Sequence, residues 1–196
     1  ADTVRAAQAA GIDNISLDLM IGVPYQTKES LLESARFCAS LGVKHISAYM
    51  LRVEEGTPLA ASSLRKLCSD DEQTAEMYLA LCGELRRMGF EQYEISNFAK
   101  PGYESRHNLK YWRCEEYLGI GPAAHSFMEN RRFYFDRDIN AFLTNPFSEL
   151  EREEGAGGGA EEFVMLRLRL AEGLDAAELA EKYPGADVEG ILRRAA

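Results

Sequence analysis

Apolar and polar residues follow two rhythms along this chain. A helical rhythm covers residues 3–10, opened by Asp2 and ended by Gly11. It returns over 28–41, closed by Gly42, and over 70–88, with Ser69 or Asp70 as cap and Gly89 as stop. Two short β-rich runs, 14–21 and 45–51, lie between these helices. Helices of about 10 to 20 residues between short strands predict right-handed βαβ units and a parallel sheet.

The two strand patterns are uneven. A parallel strand covered on both sides is apolar on both faces. In 14–21 the set Ile15, Leu17, Leu19, Ile21 is apolar, but Ser16, Asp18 and Met20 form the other face. In 45–51 the set Ile46, Ala48, Met50 is opposed by His45, Ser47 and Tyr49. One face is therefore expected to pack on helices while the other looks into a barrel lumen or a ligand cleft. Asp18, ionisable in mid-strand, must be paired or solvated. Each strand runs into a loop at its C-terminal end, where α/β sheets gather ligands. The first is Gly22-Val23-Pro24-Tyr25-Gln26-Thr27, with Thr27 as a helix cap; the second runs from Arg52 to Pro58.

From Gly89 onward the texture changes. Residues 93–98, 117–120 and 132–135 read as short strands, and 139–143 as a short helix. The acidic run 149–154 and the nearly all-glycine run 155–159 read as a flexible connection. This divides the chain into 1–148, a linker at 149–160, and a helical tail at 161–196 broken at Pro184-Gly185.

A length of 196 residues suits one domain or slightly more. A net charge of −10 argues against nucleic-acid binding. No apolar run approaches the roughly 20 residues that span a bilayer. The chain opens on Ala1 without a signal peptide or an initiating Met, which reads as a piece of a longer or processed protein. Cys38, Cys68, Cys82 and Cys114 are separated by 30, 14 and 32 residues, so no pair has metal-ligand spacing. They read as reduced cytoplasmic thiols, with Cys38 and Cys82 in a core.

Dinucleotide, P-loop, zinc-protease and nucleophile-elbow motifs are missing from the sequence. Three segments rise above background: 18–27, 107–112 and 119–125. The second, His107-Asn108-Leu109-Lys110-Tyr111-Trp112, sets one of three histidines beside the single tryptophan. An imidazole that can ligate a metal, flanked by aromatics that can stack on a flat ring, is what a tetrapyrrole site needs; a buried histidine satisfied by its neighbours is the plainer reading. His125, at the end of an expected strand, reads equally as a backbone-satisfied histidine or a ligand contact.

In register these segments resemble the radical S-adenosylmethionine (SAM) proteins of the HemN/HemW group, the oxygen-independent coproporphyrinogen III oxidase-like family. The stretch Asn14-Ile15-Ser16-Leu17-Asp18-Leu19-Met20-Ile21-Gly22-Val23-Pro24-Tyr25-Gln26-Thr27 is similar to the family's N-L-D-L-I-Y-G-L-P-G-Q-T. His45-Ile46-Ser47-Ala48-Tyr49 matches its next barrel strand. Tyr93-Glu94-Ile95-Ser96-Asn97-Phe98 and the H-N-x-x-Y-W segment resemble the haem-chaperone branch, and Leu118-Gly119-Ile120-Gly121-Pro122-Ala123-Ala124-His125-Ser126 matches the strand after it. Residues 162–170 resemble the start of the family's C-terminal helical domain.

The resemblance implies the second half of a partial (β/α) radical-SAM barrel with added strands, followed by a small helical domain. It implies SAM at Asp18, with Gly22, Pro24 and Gln26 shaping the rim. It implies haem at His107, Asn108, Tyr111 and Trp112, with His125 as a weaker contact. The family's C-x-x-x-C-x-x-C motif, which holds a [4Fe-4S] cluster, does not occur in this sequence, and Tyr25 stands where Gly is usual. The chain alone is therefore expected to hold no cluster and to cleave no SAM. The implied function is a haem chaperone that hands haem to apo-proteins; the alternative is the oxidase, which decarboxylates the propionates of coproporphyrinogen III.

Overall fold

A computed structural model describes residues 1–145, 149 and 151–195. The boundary expected at 148 and Leu150 of the expected linker lie outside the described residues. The chain divides into two compact units, Ala1–Glu104 and Ser105–Ala196.

The first unit is built on β1 (Ser16–Ile21), β2 (His45–Met50), β3 (Glu91–Glu94) and β4 (Asn97–Ala99), in the order β1-β2-β4-β3. Strands β1 and β2 are parallel, Ser16 facing His45 and Ile21 facing Met50. The crossover between them is α2 (Lys28–Ser40), as the apolar rhythm predicts. Thr27 caps it reciprocally with Ser30, and Asp70 does the same with Gln73 for α4 (Asp71–Arg87). Leu31, Leu81 and Leu85 from these helices are fully buried against Ile21, Ile46 and Phe98 of the sheet. Each such side chain contributes roughly 1.5–3 kcal/mol.

Several expectations need correction. Helix α1 (Asp2–Ala9) contains Asp2, whose carboxylate pairs with Arg5 and caps nothing. The sheet is mixed: residues 93–98 are no single strand, because the chain reverses at Ile95-Ser96 and β4 pairs antiparallel with both β2 and β3. The loop after β2 folds into α3 (Pro58–Ala61), with Pro58 at its first turn, and a 3₁₀ turn at Ser63–Leu67.

The second unit begins with α5 (Arg106–Trp112). Its sheet is antiparallel, β5 (His125–Met128), β6 (Arg131–Phe135) and β7 (Glu151–Ala156), in that order. Among the described residues it also holds helices α6 (Ile139–Thr144), α7 (Ala160–Arg167), α8 (Ala176–Lys182) and α9 (Val188–Ala195). Phe127, Phe163, Val164, Leu179 and Ile191 form its core.

The expected flexible linker is a strand followed by a tightly held turn. Arg131 pairs with Glu151, and Arg152 with Asp136, 2.5 Å apart, so the acidic run is balanced across the sheet. The glycines allow close approach: a Cβ on Gly157 would lie 2.9 Å from Arg132, and one on Gly158 would lie 2.6 Å from the Phe127 ring. Tyr183 donates to the Gly158 carbonyl at 2.6 Å. Residues 117–120 are likewise no strand; only Tyr117 bridges to Phe127. His125 opens β5 and ends no strand.

Candidate functional site

Each unit carries a candidate. In the first, Ser16, Asp18 and Met20 of β1 lie on the sheet face opposite the helices and are exposed. Asp18 sits opposite Ser47, and Ser47 opposite Asn97, so three polar residues cross three strands in one row. Past β1 the backbone turns at Gly22, with φ +86°, where a Cβ would meet the Thr74 hydroxyl at 3.0 Å. The Gln26 amide closes this loop from both ends. Its Oε1 accepts from the Gly22 N–H at 2.7 Å and its Nε2 donates to the Met20 carbonyl at 2.9 Å. Gln26 therefore shapes the rim, with Pro24 stiffening it. Tyr25 has φ +64°, a left-handed conformation that explains why Gly would suit that position, and its side chain is exposed.

Sequence reasoning placed His45 on the polar face but missed its network. His45 is buried, with Nδ1 2.7 Å from the Ser16 hydroxyl and Nε2 2.8 Å from the Tyr93 hydroxyl. Burial pushes its pKa down, against the opposing pull of Asp18 and Glu94. Glu94, buried in turn, accepts from the Ser96 N–H and the Asn97 side-chain amide. The polar character of alternate residues in β2 was the available signal; the partners, 29 and 48 residues away in sequence, were not visible.

In the second unit the expected aromatic cluster splits over two faces of α5. Ser105 caps this helix through the Asn108 N–H. His107 and Tyr111 stand one turn apart, the Tyr111 hydroxyl 2.8 Å from His107 Nε2 and the rings edge to face at 4.9 Å. The Tyr111 ring also meets Tyr117, edge to face, at 4.5 Å. Asn108 and Trp112 lie about 100° around the helix. The Arg169 guanidinium lies 4.2 Å from the Trp112 ring centre, and the buried Trp112 Nε1–H has no hydrogen-bond partner among the described residues. The helical period of 107–112 separates these faces.

His125 is brought to a third place. Its Nδ1 lies 3.1 Å from a Glu154 carboxylate oxygen, and its ring stacks on Tyr134 at 5.0 Å. Both residues border a polar cavity of about 360 Å³ with Ala123, Asp136 and Arg137. The segment 118–124 positions it: the Gly119 N–H donates to the Ser126 hydroxyl at 2.9 Å, and Gly119 lies so near the His125 carbonyl that only a hydrogen fits there.

The donor sets decide which prosthetic groups fit. Cys38, Cys68, Cys82 and Cys114 are free thiols on separate elements, Cys38 and Cys114 buried with their pKa values raised by burial. Among the described residues no three His, Cys, Asp or Glu side chains converge on a metal position. The cysteines of this chain do not fit an iron-sulfur cluster. A haem needs less, because the porphyrin supplies four nitrogens and one imidazole completes a haem site. His107 and His125 are both exposed enough to serve. Among the described residues no helix is long and apolar enough to cross a membrane.

Residues 159–196 match the family model of the HemN C-terminal domain. The heme chaperone HemW of Bacillus subtilis (strain 168) is 36% identical, over 95% of this chain and 51% of its own length. That of Mycobacterium tuberculosis (strain ATCC 25618 / H37Rv) is 36% identical, over 89% of this chain and 48% of its own. The chain thus spans about half the length of the curated relatives it matches. The solved structure of coproporphyrinogen III oxidase (HemN) from Escherichia coli, a radical SAM enzyme, superposes with a TM-score of 0.69 at 16% identity, over 93% of this chain and 46% of that one. This likeness carries the fold: an α/β portion of the radical-SAM kind.

Proposed function

This chain belongs to the HemN/HemW family of radical SAM proteins, matching its C-terminal portion, and from that premise we propose that it is the haem-handling part of a haem chaperone. The observation that carries the reading is the helix α5, which takes the H-N-x-x-Y-W segment and presents His107 at the surface, paired with Tyr111. A cargo must be released, and an exposed ligand exchanges more readily than one sealed in a core.

In this reading His107 ligates haem iron through an imidazole nitrogen, and the Tyr111 hydroxyl, bonded to Nε2, orients the ring. The Tyr111 and Tyr117 rings offer aromatic walls, while Trp112, under the Arg169 guanidinium, ties the helix to its unit. In the first unit Asp18 contacts SAM, with Gly22, Pro24 and Gln26 holding the rim at the C-terminal end of β1. A cluster that reduces SAM would need cysteines at the family's spacing, which this sequence does not contain. The recipients are apo-proteins that need haem, and the four free thiols favour a reducing compartment, the cytoplasm.

The second reading is a coproporphyrinogen III decarboxylase, favoured by the fold shared with HemN. That likeness is one of fold alone, whereas the relatives at 36% identity are chaperones by name, so the carrier reading is preferred. Titration of the chain with haemin tests it. A Soret band that saturates and weakens in His107→Ala is expected; a band unchanged in that variant removes His107 from the site. Conversion of coproporphyrinogen III in the presence of SAM would instead favour the decarboxylase.

A further inference from the structure

We infer that Asn97 is a binding residue for the nucleoside end of SAM, its side-chain oxygen accepting a hydrogen bond from the 6-amino group of adenine. The inference rests on the SAM reading at Asp18 and deepens it.

One row of polar residues crosses all four strands of the first unit on a single face. Asp18 of β1 stands opposite Ser47 of β2, Ser47 opposite Asn97 of β4, and Asn97 opposite Glu94 of β3. The row deepens along its length: Asp18 is exposed, whereas Ser47, Asn97 and Glu94 are only 5%, 3% and 1% exposed. One oxygen of the Glu94 carboxylate accepts both the Ser96 backbone N–H, at 2.8 Å, and the Asn97 side-chain amide. An oxygen acting as acceptor turns the NH₂ of Asn97 towards Glu94 and leaves Oδ1 as the atom still to be satisfied. Oδ1 is buried and has no hydrogen-bond partner among the described residues. Buried acceptors are nearly always paired, so an orphan at the closed end of a polar row points to a donor that arrives with a ligand. The neighbouring row is different: Ser16, His45 and Tyr93 satisfy one another.

Spacing and charge select the donor. Neighbouring strands lie about 4.8 Å apart, so Asp18 and Asn97, two strands apart, are separated by roughly 10 Å. An adenosine spans that gap once the two side chains are added. The ribose hydroxyls and the α-ammonium of SAM are better matched by the Asp18 carboxylate, which stays in water, than by a neutral amide oxygen out of it. The 6-amino group of adenine is a neutral donor and fits Asn97. Ser47, between the two, is short and leaves room for a flat ring. Met20 and Tyr49, paired in the next row on the same face and both exposed, border it with apolar surface.

Equilibrium dialysis of the chain against SAM, adenosine and purine riboside, which lacks only the 6-amino group, tests the inference. In the unaltered chain purine riboside is expected to bind about tenfold more weakly than adenosine. Asn97→Leu is expected to weaken SAM and adenosine by about tenfold and to leave purine riboside unchanged, a pattern that general damage to the unit does not produce. Circular dichroism checks the fold of the variant; if it is unfolded, the two nucleosides compared on the unaltered chain decide alone. Equal affinities for adenosine and purine riboside, or an equal loss of both in Asn97→Leu, overturn the inference, while SAM binding that disappears in Asp18→Ala keeps the SAM reading. If the unaltered chain binds none of the three, the SAM reading itself fails, and the role of Asn97 with it.

Discussion

Gly119→Ala is the most direct test of the geometry in the second unit. The backbone at Gly119 is not in the left-handed region, so alanine is permitted there by its dihedral angles and the whole effect is steric. An added Cβ would lie 2.2 Å from the His125 carbonyl oxygen, 2.9 Å from its carbon and 3.0 Å from the Ala124 Cβ. Comfortable contact between such atoms needs roughly 3.5 Å, so the start of β5 must move by about 1 Å or the segment must detach. Overpacking of this kind costs about 1–3 kcal/mol. With a urea slope of about 1–3 kcal/mol per molar for a small domain, the midpoint of the second unit falls by roughly 1 M. The assay is selective because Trp112 is the only tryptophan and belongs to this unit. Excited at the red edge, where tyrosine does not absorb, its fluorescence follows the second unit alone, which matters because two units need not unfold together. An unchanged fluorescence midpoint would refute the close approach and, with it, the account of how 118–124 positions His125.

Three further outcomes follow from the first unit and from β7. Gly83→Ala, in the middle of α4 with open space around its Cβ, should stabilise the first unit by up to about 1 kcal/mol, read from urea denaturation by far-ultraviolet circular dichroism; a loss of stability would contradict the open space. Because burial holds the His45 pKa below its ordinary value near 6.5, protonation favours the unfolded chain. The stability of the first unit should therefore be full above about pH 6.5 and decline as the pH falls below it; His45→Gln should flatten that slope, and equal slopes in the two proteins would sink the assignment. A protease that cuts after glutamate should leave Glu153 and Glu154 intact in the folded chain, since both lie in β7, whereas early cleavage there would restore the flexible linker.

The sequence by itself determined the local elements that depend on neighbours within a few residues. Thr27 and Asp70 cap their helices because the groups they satisfy are three residues away. The apolar face of 14–21 also emerged, since period-two alternation is a property of the strand itself, but in 45–51 it holds only for Ile46 and Ala48: Met50 is exposed, and His45 and Ser47 of the polar face are buried. The motif residues that place the chain in its family were legible too. Partnership was left to the tertiary structure. That Gly157 and Gly158 serve close packing on Arg132 and Phe127, and not flexibility, depends on contacts across some 25 to 31 residues of sequence. The reversal at Ile95-Ser96 became visible only when β4 paired with β2. The same holds for the site residues. His107 and Trp112 are near in sequence yet face apart on one helix, while His125 and Glu154, 29 residues apart, are joined by antiparallel strands flanking β6. Chemistry at a site depends on which groups meet, and that is decided by the pairing of distant segments and by nothing in the local order of residues.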